Sequence, residues 1–415
     1  MTAPQMTGPS PFSPLNIGPL TLRNRFIKSA TNEGMARGGV PSAMLVKWHE
    51  RFAEGGIGLT TVAYCAVSPD GRTFVDQVTM DRQSLPDLKA LTDAVHRHGG
   101  AASAQITHGG CFTFLPEITT GRPFSSSGGF NKVGVMSGRF LRKAMTEADM
   151  EQVAEEFAAA ARLAREAGFD AVEIHMGHGY LLSQFVSPLY NKRRDQYGGS
   201  PESRVRYPAM VLRRVLDAVG KDMGVICKFS ITDGVKGGNT AEDGARIAKV
   251  LEAEGAHMLV LSAGMNVESI TTMFGSSFPK ENRARPPNWI IAAGMAIQNL
   301  TEPKNVVFRE LYLMEHARKI RAAVKMPLAY LGGVESLANV SQAMGEGFEA
   351  VALGRGLIYD PALVLHLQNH DSEKSGCIRC NRCVTMMYTP GGTSCVLHAP
   401  NDVAMNSTPG RAAAA

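Results

Sequence analysis

Two histidines and a tyrosine are crowded into one short segment of this 415-residue chain. The segment reads Glu173-Ile-His-Met-Gly-His-Gly-Tyr180, so that His175, His178 and Tyr180 lie within six residues. Two imidazoles can donate hydrogen bonds to a carbonyl oxygen, and a phenol can deliver a proton to a neighbouring atom. The same imidazoles could instead bind a metal or be structural, although no carboxylate accompanies them at ligand spacing. The residue types favour polarisation of a substrate or cofactor and leave the other two roles open.

A second group with chemical potential consists of four cysteines near the C-terminal end, Cys377, Cys380, Cys383 and Cys395. The first three follow the C-x₂-C-x₂-C spacing of bacterial [4Fe–4S] ligands, and the fourth completes the set. Four thiolates also suit a structural zinc. The total of seven cysteines, with the other three scattered, favours metal chemistry over a disulfide framework. We predict an iron–sulfur or zinc site here, with buried thiols as the alternative.

Short apolar runs alternate with longer amphipathic segments along most of the chain. The runs are too apolar for a sheet with one solvated face, which is typical of parallel strands covered by helices. Helix N-caps are indicated at Ser84, Thr146 and Thr240, the last two with an aspartate three residues further on. Eight strand–helix repeats favour a closed (β/α)₈ TIM barrel, an α/β fold. The predicted strands are Phe26–Thr31, Ile57–Tyr64, Ala101–Ile106, Phe169–Ile174, Val225–Ser230, His257–Ser262, Pro327–Leu331 and Ala350–Leu353.

The barrel is expected to carry long βα loops and a short cysteine-containing C-terminal extension. Residues 107–145 and 266–304 follow the third and sixth predicted strands and are too long for ordinary connections. Because TIM-barrel enzymes have their active sites at the carboxyl ends of the strands, we expect these loops to be lids or binding walls. The predicted divisions are disordered ends at 1–11 and 401–415, a barrel over 12–370 and a cysteine-rich extension over 371–400.

Glycines follow the last two predicted strands. Gly332 and Gly333 end the seventh strand, and Gly354 with Arg355 follows the eighth strand and opens a helix. Glycines allow backbone N–H groups to approach a phosphate, and a helix N-terminus adds a favourable dipole. TIM barrels commonly bind phosphate after strands seven and eight. No GxGxxG motif opens a helix after a strand, so the sequence predicts a phosphate site without a Rossmann domain.

Composition excludes some classes of partner. The net charge is +5, and no basic run is interleaved with aromatic residues, which argues against nucleic acid binding. No apolar segment approaches the ~18 residues that a membrane span needs, and the polar N-terminus does not resemble a secretion signal. We expect a cytoplasmic protein with small-molecule partners, and the sequence leaves open whether it forms a homo-oligomer.

Several segments resemble one family in the same order along the chain. The stretch from Glu173 to Arg204 resembles the signature of the old yellow enzyme family, the FMN-dependent ene reductases. Residues 14–25 are similar to the family's opening, and Ala104-Gln-Ile-Thr-His108 is similar to its strand-three motif. Lys228 stands where the family usually carries an arginine beside flavin N1 and O2. The resemblance covers residues 12–397 and implies that the FMN-binding residues are Ser29, Ala30, Thr31, Tyr64, Gln105, Lys228, Gly332, Gly333, Gly354 and Arg355.

The resemblance also implies an activity. NADH or NADPH would reduce FMN, and the flavin would reduce the activated C=C bond of an α,β-unsaturated carbonyl compound. The substrate oxygen would lie between His175 and His178, and Tyr180 would protonate the α-carbon. The cysteine segment resembles the iron–sulfur segment of the dienoyl-CoA reductase branch, which has one more residue between its second and third cysteines. Two other interpretations stay open, a zinc-dependent barrel hydrolase and a non-catalytic flavin-binding protein.

Overall fold

Eight parallel strands close into a barrel in the computed structural model, which describes residues 9–277 and 306–398. Each strand pairs with the next one along the chain, and the last pairs with the first, Val351 lying opposite Phe26. The predicted TIM-barrel fold is therefore confirmed. The barrel strands are β1 Phe26–Lys28, β2 Leu59–Ala66, β3 Ala101–Thr107, β4 Ala171–Met176, β5 Gly224–Ser230, β6 Met258–Ser262, β7 Leu328–Leu331 and β8 Ala350–Leu353.

Helices follow the strands and cover the outside of the barrel. Capping boxes begin helices at Thr146 and Thr240, as predicted, and a third begins at Ser336. Ser84 also lies at the N-cap position of its helix, as predicted, although its hydroxyl donates to the carbonyl of Gly39 and makes no capping bond. The helices are α1 Ala43–Glu54, α2 Leu85–His96, α3 Glu147–Glu166, α4 Leu181–Val186, α5 Pro201–Arg204, α6 Arg206–Val219, α7 Ala241–Ala253, α8 Ile270–Phe274, α9 Met314–Ala323, α10 Leu337–Gly345, α11 Arg355–Tyr359, α12 Leu363–Gln368 and α13 Cys383–Met386.

The barrel interior is apolar at one end and polar at the other. A hairpin of Leu15–Ile17 and Leu20–Leu22, which the sequence did not predict, packs into the amino-terminal end. Its apolar side chains form one buried cluster with inward-facing residues such as Ile226 and Met258. Burying apolar surface stabilises this end by about 25 cal/mol per Å². The polar side chains lie further along the same strands, at the carboxyl end of the barrel.

The loop after β3 holds more structure than was expected. Within residues 107–145 lies a small three-stranded sheet made of Phe124–Ser125, Gly129–Phe130 and Leu141–Ala144. Strands of two to four residues are too short to show an alternation of apolar and polar residues, which explains why the sequence indicated only a loop. Much of the predicted loop 266–304, and most of both predicted disordered ends, lie outside the described residues.

The cysteine-rich segment folds back onto the carboxyl end of the barrel. Thr393 donates from its backbone N–H to the carbonyl of Glu33 at 2.7 Å and from its hydroxyl to Asn32 at 2.6 Å. Ser375 donates from its N–H to the carbonyl of Glu335 at 2.8 Å. The segment therefore covers the loops that follow β1 and β7. Among the helices in the described ranges, none combines the length and apolarity needed to cross a membrane.

Candidate active site

All of the residues predicted for catalysis or cofactor binding line a single cavity of about 430 Å³ at the carboxyl end of the barrel. A cavity of this size can enclose a cofactor and a small substrate. The sequence separates these residues widely, and the barrel brings them together because every strand ends at the same rim. The predicted residues in the wall are Ser29, Ala30, Thr31, Tyr64, Gln105, His175, His178, Tyr180, Lys228, Gly332, Gly333, Gly354 and Arg355.

The two histidines form a directed chain of hydrogen bonds. The N–H of Gly177 donates to Nδ1 of His175 at 3.2 Å, so the proton of this neutral imidazole lies on Nε2. That Nε2 lies 3.1 Å from Nδ1 of His178, and Nε2 of His178 lies 2.7 Å from the hydroxyl oxygen of Ser262. In this arrangement His175 donates to His178, which in turn donates to Ser262.

Both imidazoles are neutral near pH 7. Burial, reinforced by the charge of Lys228, lowers the pKa of His178 to about 3, and burial lowers that of His175 well below its usual value. A ligand oxygen that accepts from both rings needs a proton on Nδ1 of His178. Ser262 makes this change possible, because a hydroxyl can donate to Nε2 as readily as it accepts from it. Ser262 lines the cavity and was missed from the sequence.

The backbone of β4 and its loop fixes the histidine pair. Pairing of β4 with β5 places His175 beside Lys228, both facing the interior. His178 has a φ of 61°, a left-handed conformation that is uncommon for residues other than glycine. Its N–H donates to the Ser230 hydroxyl at 3.2 Å, and its carbonyl accepts from the N–H of Asn266 at 3.1 Å. These bonds hold the ring over the cavity.

Tyr180 lies beside the histidines and stays protonated. Its ring is 4.7 Å from that of His175, centre to centre, and 5.1 Å from that of Tyr64. Burial raises the pKa of Tyr180 to about 12. The phenol therefore carries a proton throughout the physiological range and can donate it to a substrate atom.

Lys228 and Gln105 lie in the same cavity with fixed orientations. The ammonium of Lys228 donates to the Ser29 hydroxyl at 2.9 Å and to the carbonyl of Ala30 at 3.2 Å. Because β3 and β4 pair in this register, the amide nitrogen of Gln105 reaches a carboxylate oxygen of Glu173 at 2.7 Å. That bond leaves the Gln105 carbonyl oxygen to act as an acceptor, which matches the N–H of a flavin pyrimidine ring.

The glycine segments after β7 and β8 fit a phosphorylated cofactor. Gly332 and Gly333 have φ values of 135° and 74°, which side chains rarely tolerate. A Cβ on Gly354 would meet no atom within 4 Å and would project into open space. The hydroxyl of Thr31 is buried without a hydrogen-bond partner among the described residues. Open space beside the Gly354 backbone, an unpaired hydroxyl and the cation of Arg355 suit the phosphate of a bound FMN.

An aromatic wall closes another side of the cavity and was not predicted. The rings of Phe74 and Phe114 stack at 5.2 Å, and Phe112 meets Tyr180 edge-on at 5.5 Å. Phe112 and Phe114 come from the long loop after β3, which therefore supplies the binding wall expected of it. The clustering of Phe112 and Phe114 within that loop was the available signal.

The four C-terminal cysteines line a small second cavity, and Cys383 lines the main cavity as well. Over the ranges 9–277 and 306–398, no three side chains of metal-ligating type are arranged as a ligand set, these thiols included. Burial raises the pKa of Cys383 to about 12, so a metal would have to displace its proton. The iron–sulfur or zinc site therefore stays a prediction.

Comparison with known proteins gives one family. The model of the NADH:flavin oxidoreductase / NADH oxidase family matches residues 10–289. A 4,4′-dithiodibutanoate disulfide reductase from Rhodococcus erythropolis is 40% identical over 400 residues, 94% of this chain and 95% of that protein. An NADH oxidase from Thermoanaerobacter brockii is 33% identical over 383 residues, 90% of this chain and 53% of that protein.

A solved structure of an old yellow enzyme homologue from Zymomonas mobilis has the same fold, with a TM-score of 0.68 and 22% identity. The match covers 90% of this chain and 96% of that one. Together with the cavity, these matches account for the predicted FMN and for NADH or NADPH as co-substrate. The chain belongs to the NADH:flavin oxidoreductase / NADH oxidase family, the family of the old yellow enzymes.

Proposed function

We propose that this oxidoreductase reduces the C=C bond of an α,β-unsaturated carbonyl compound. The observation that carries the proposal is the histidine pair, which faces the cavity beside a protonated Tyr180. FMN held by residues such as Gln105, Lys228 and Arg355 would supply the two-electron chemistry, hydride transfer from NADH or NADPH to the substrate. The protein contributes orientation, hydrogen-bond donors and a proton.

Two hydrogen bonds polarise the substrate. Nε2–H of His175 and, after the change of tautomer, Nδ1–H of His178 donate to the carbonyl oxygen. Negative charge grows on that oxygen as hydride reaches the β-carbon, and donors fixed in a buried site stabilise such charge strongly. Tyr180 then transfers its phenolic proton to the α-carbon, which completes the saturated product.

The test separates the two half-reactions. Enzyme reduced anaerobically with NADH is mixed with 2-cyclohexenone, and the return of oxidised flavin absorbance is followed. Tyr180→Phe should slow this step at least tenfold and leave reduction by NADH nearly unchanged, because only the transferable proton is lost. Tyr197→Phe, outside the cavity, serves as the matched control. Failure of the wild-type enzyme to reduce any of several enones would overturn the proposal.

Disulfide reduction is a second candidate, favoured by the Rhodococcus relative that is 40% identical over nearly the whole chain. Two electrons and two protons convert a disulfide into two thiols. A thiolate is a far better leaving group than a carbanion and leaves without prior protonation, so this reaction depends little on Tyr180. Tyr180→Phe should therefore slow oxidation by the enone and spare oxidation by 4,4′-dithiodibutanoate. Rapid oxidation by the disulfide with no response to enones would favour the second candidate over the first.

A further inference from the structure

The cysteine segment contacts the phosphate end of the main cavity. The small cavity lined by the four cysteines shares Arg355, Ile358 and Cys383 with the main cavity. Arg355 is the cation predicted to bind the FMN phosphate. Asn381 lies between Cys380 and Cys383 in the sequence, and its side chain contacts Arg355.

Asn381 is buried and its side-chain amide has one orientation. Its Oδ1 accepts from Nη1 of Arg355 at 2.6 Å. Its Nδ2 donates to the hydroxyl of Ser276 at 2.9 Å and to the carbonyl of Ser277 at 3.2 Å. Because a carbonyl only accepts, Nδ2 must face Ser277, which leaves Oδ1 for the guanidinium. The same guanidinium also donates to the carbonyl of Phe274 at 2.8 Å.

The backbone around Asn381 is held in an uncommon conformation. Arg379 and Asn381 have φ values of 61° and 56°, in the left-handed region. Arg379 forms a two-pronged ion pair with Glu335, with N–O distances of 2.8 and 2.6 Å. Glu335 is buried two residues after Gly333, in the other phosphate segment. Such conformations persist where surrounding contacts determine them, often at functional sites. The cysteine loop is therefore fastened to both phosphate segments.

We propose that Asn381 is a positioning residue for the cofactor phosphate. It holds the Arg355 guanidinium in the cavity wall before FMN arrives, so that binding does not have to immobilise a flexible side chain. The arrangement of the cysteine loop thereby sets the affinity for FMN. This inference rests on the phosphate role of Arg355 and is independent of whether the substrate is an enone or a disulfide.

Comparison of FMN with riboflavin tests the inference, because riboflavin lacks only the phosphate. Apoprotein is titrated with each flavin, and the dissociation constant is measured from flavin fluorescence. Asn381→Ala should weaken FMN binding about tenfold, the size expected for losing one pre-ordered side chain, and leave riboflavin binding unchanged. Asn369→Ala, which changes an exposed asparagine at the C-terminal end of α12, should bind both flavins as the wild type does.

The double variant connects Asn381 to Arg355. Arg355→Ala alone should weaken FMN binding selectively, and adding Asn381→Ala should cost little more, because the two act as one unit. Equal losses for FMN and riboflavin in Asn381→Ala, or fully additive losses in the double variant, would overturn the inference. If Arg355→Ala does not distinguish the two flavins, the phosphate site itself is misassigned, which is a separate failure.

If Asn381→Ala does not fold, a second variant, Asn381→Asp, tests the same inference. Asn381→Asp keeps the shape and the acceptor but offsets the charge of Arg355. FMN affinity should then fall at least as far as in Asn381→Ala, again with riboflavin unaffected. Unchanged FMN affinity in Asn381→Asp would contradict the inference as well.

Discussion

The two ends of the main cavity are built in different ways. The histidine end comes from one continuous stretch, in which β4 and its loop supply His175, His178 and Tyr180. The phosphate end is assembled from β7, β8, the loop after β6 and the cysteine segment. Its key cation, Arg355, takes its partners from Ser276, Phe274 and Asn381, distant in sequence.

This difference separates chemistry from cofactor retention. Residues within one strand and its loop keep a fixed geometry because the barrel backbone defines it. A guanidinium held by two segments distant from it in sequence depends on both of them staying packed. Changes at the histidine end should therefore alter rates with FMN still bound, and changes at the phosphate end should alter FMN affinity.

The largest effect is expected from replacing both histidines with alanine. His175→Ala with His178→Ala should lower the rate of flavin oxidation by an enone about 10²–10³-fold, because donors to a developing oxyanion are lost. The dissociation constant of FMN should change little. Stopped-flow absorbance and flavin titration of the same preparation measure the two quantities. A large loss of FMN with an unchanged rate per bound flavin would reverse the assignment of the two ends.

Gly354→Ala should affect the opposite end. The added methyl group meets no protein atom within 4 Å, but the backbone of Gly354 (φ −114°, ψ −94°) lies outside the regions that side chains favour, so thermal unfolding of the apoprotein is measured first. The methyl group would occupy the space predicted for the phosphate and weaken FMN binding by about 10- to 100-fold, the range for overpacking. Gly345→Ala, whose Cβ also meets nothing, is the matched control. If Gly354→Ala binds FMN with wild-type affinity, the phosphate does not bind beside Gly354.

A smaller effect is expected at Ser262. Ser262→Ala removes the hydroxyl that pairs with Nε2 of His178 in either tautomer, and should weaken binding of a phenol or enone by about tenfold. Ser262→Thr keeps the hydroxyl and should restore the affinity. Perturbation of the flavin spectrum by a phenol measures both. Equal weakening in both variants would indicate a packing role instead.

The last prediction concerns the stability of the fold and its dependence on pH, a quantity separate from binding and rate. Because the pKa of His178 is about 3 in the folded protein and near 6.5 when unfolded, the unfolded state binds the proton first. Stability should therefore fall as pH drops from about 6.5 towards 3, by up to about 1.4 kcal/mol per pH unit for this group. The free energy of unfolding, compared between wild type and His178→Gln, measures the difference. Identical pH slopes in the two proteins would mean that His178 is not buried as a neutral ring.

The sequence predicted the barrel and the histidine end for the same reason. Strand runs and the His175–Tyr180 segment are local patterns, so they can be read without knowing tertiary contacts. Ser262 gave only a weak signal, as a polar residue at the inward positions of β6 after Met258 and Val260. Asn381 gave none, because its role depends on a left-handed backbone and on contacts to a segment about a hundred residues away.

The hairpin of Leu15–Ile17 and Leu20–Leu22 was missed for a physical reason as well. Three-residue strands are stabilised by burial inside the barrel and not by their own pattern, so that their sequence resembles an ordinary apolar loop. At Ser84 the N-cap position was predicted correctly, but its hydroxyl bonds to a neighbouring loop, a tertiary contact that the sequence does not show.

Pairing of β8 with β1 has a consequence for the order of folding. Phe26 meets Val351, so the barrel closes only after all the residues from β1 to β8 have left the ribosome. Contacts between residues so far apart in sequence form slowly, because a long loop must close before they are gained. The glycine segment that follows β8 reaches its final position in the same late step, the closure of the barrel. Nascent chains should therefore remain colourless until synthesis has passed β8, and free FMN should not speed the earlier steps.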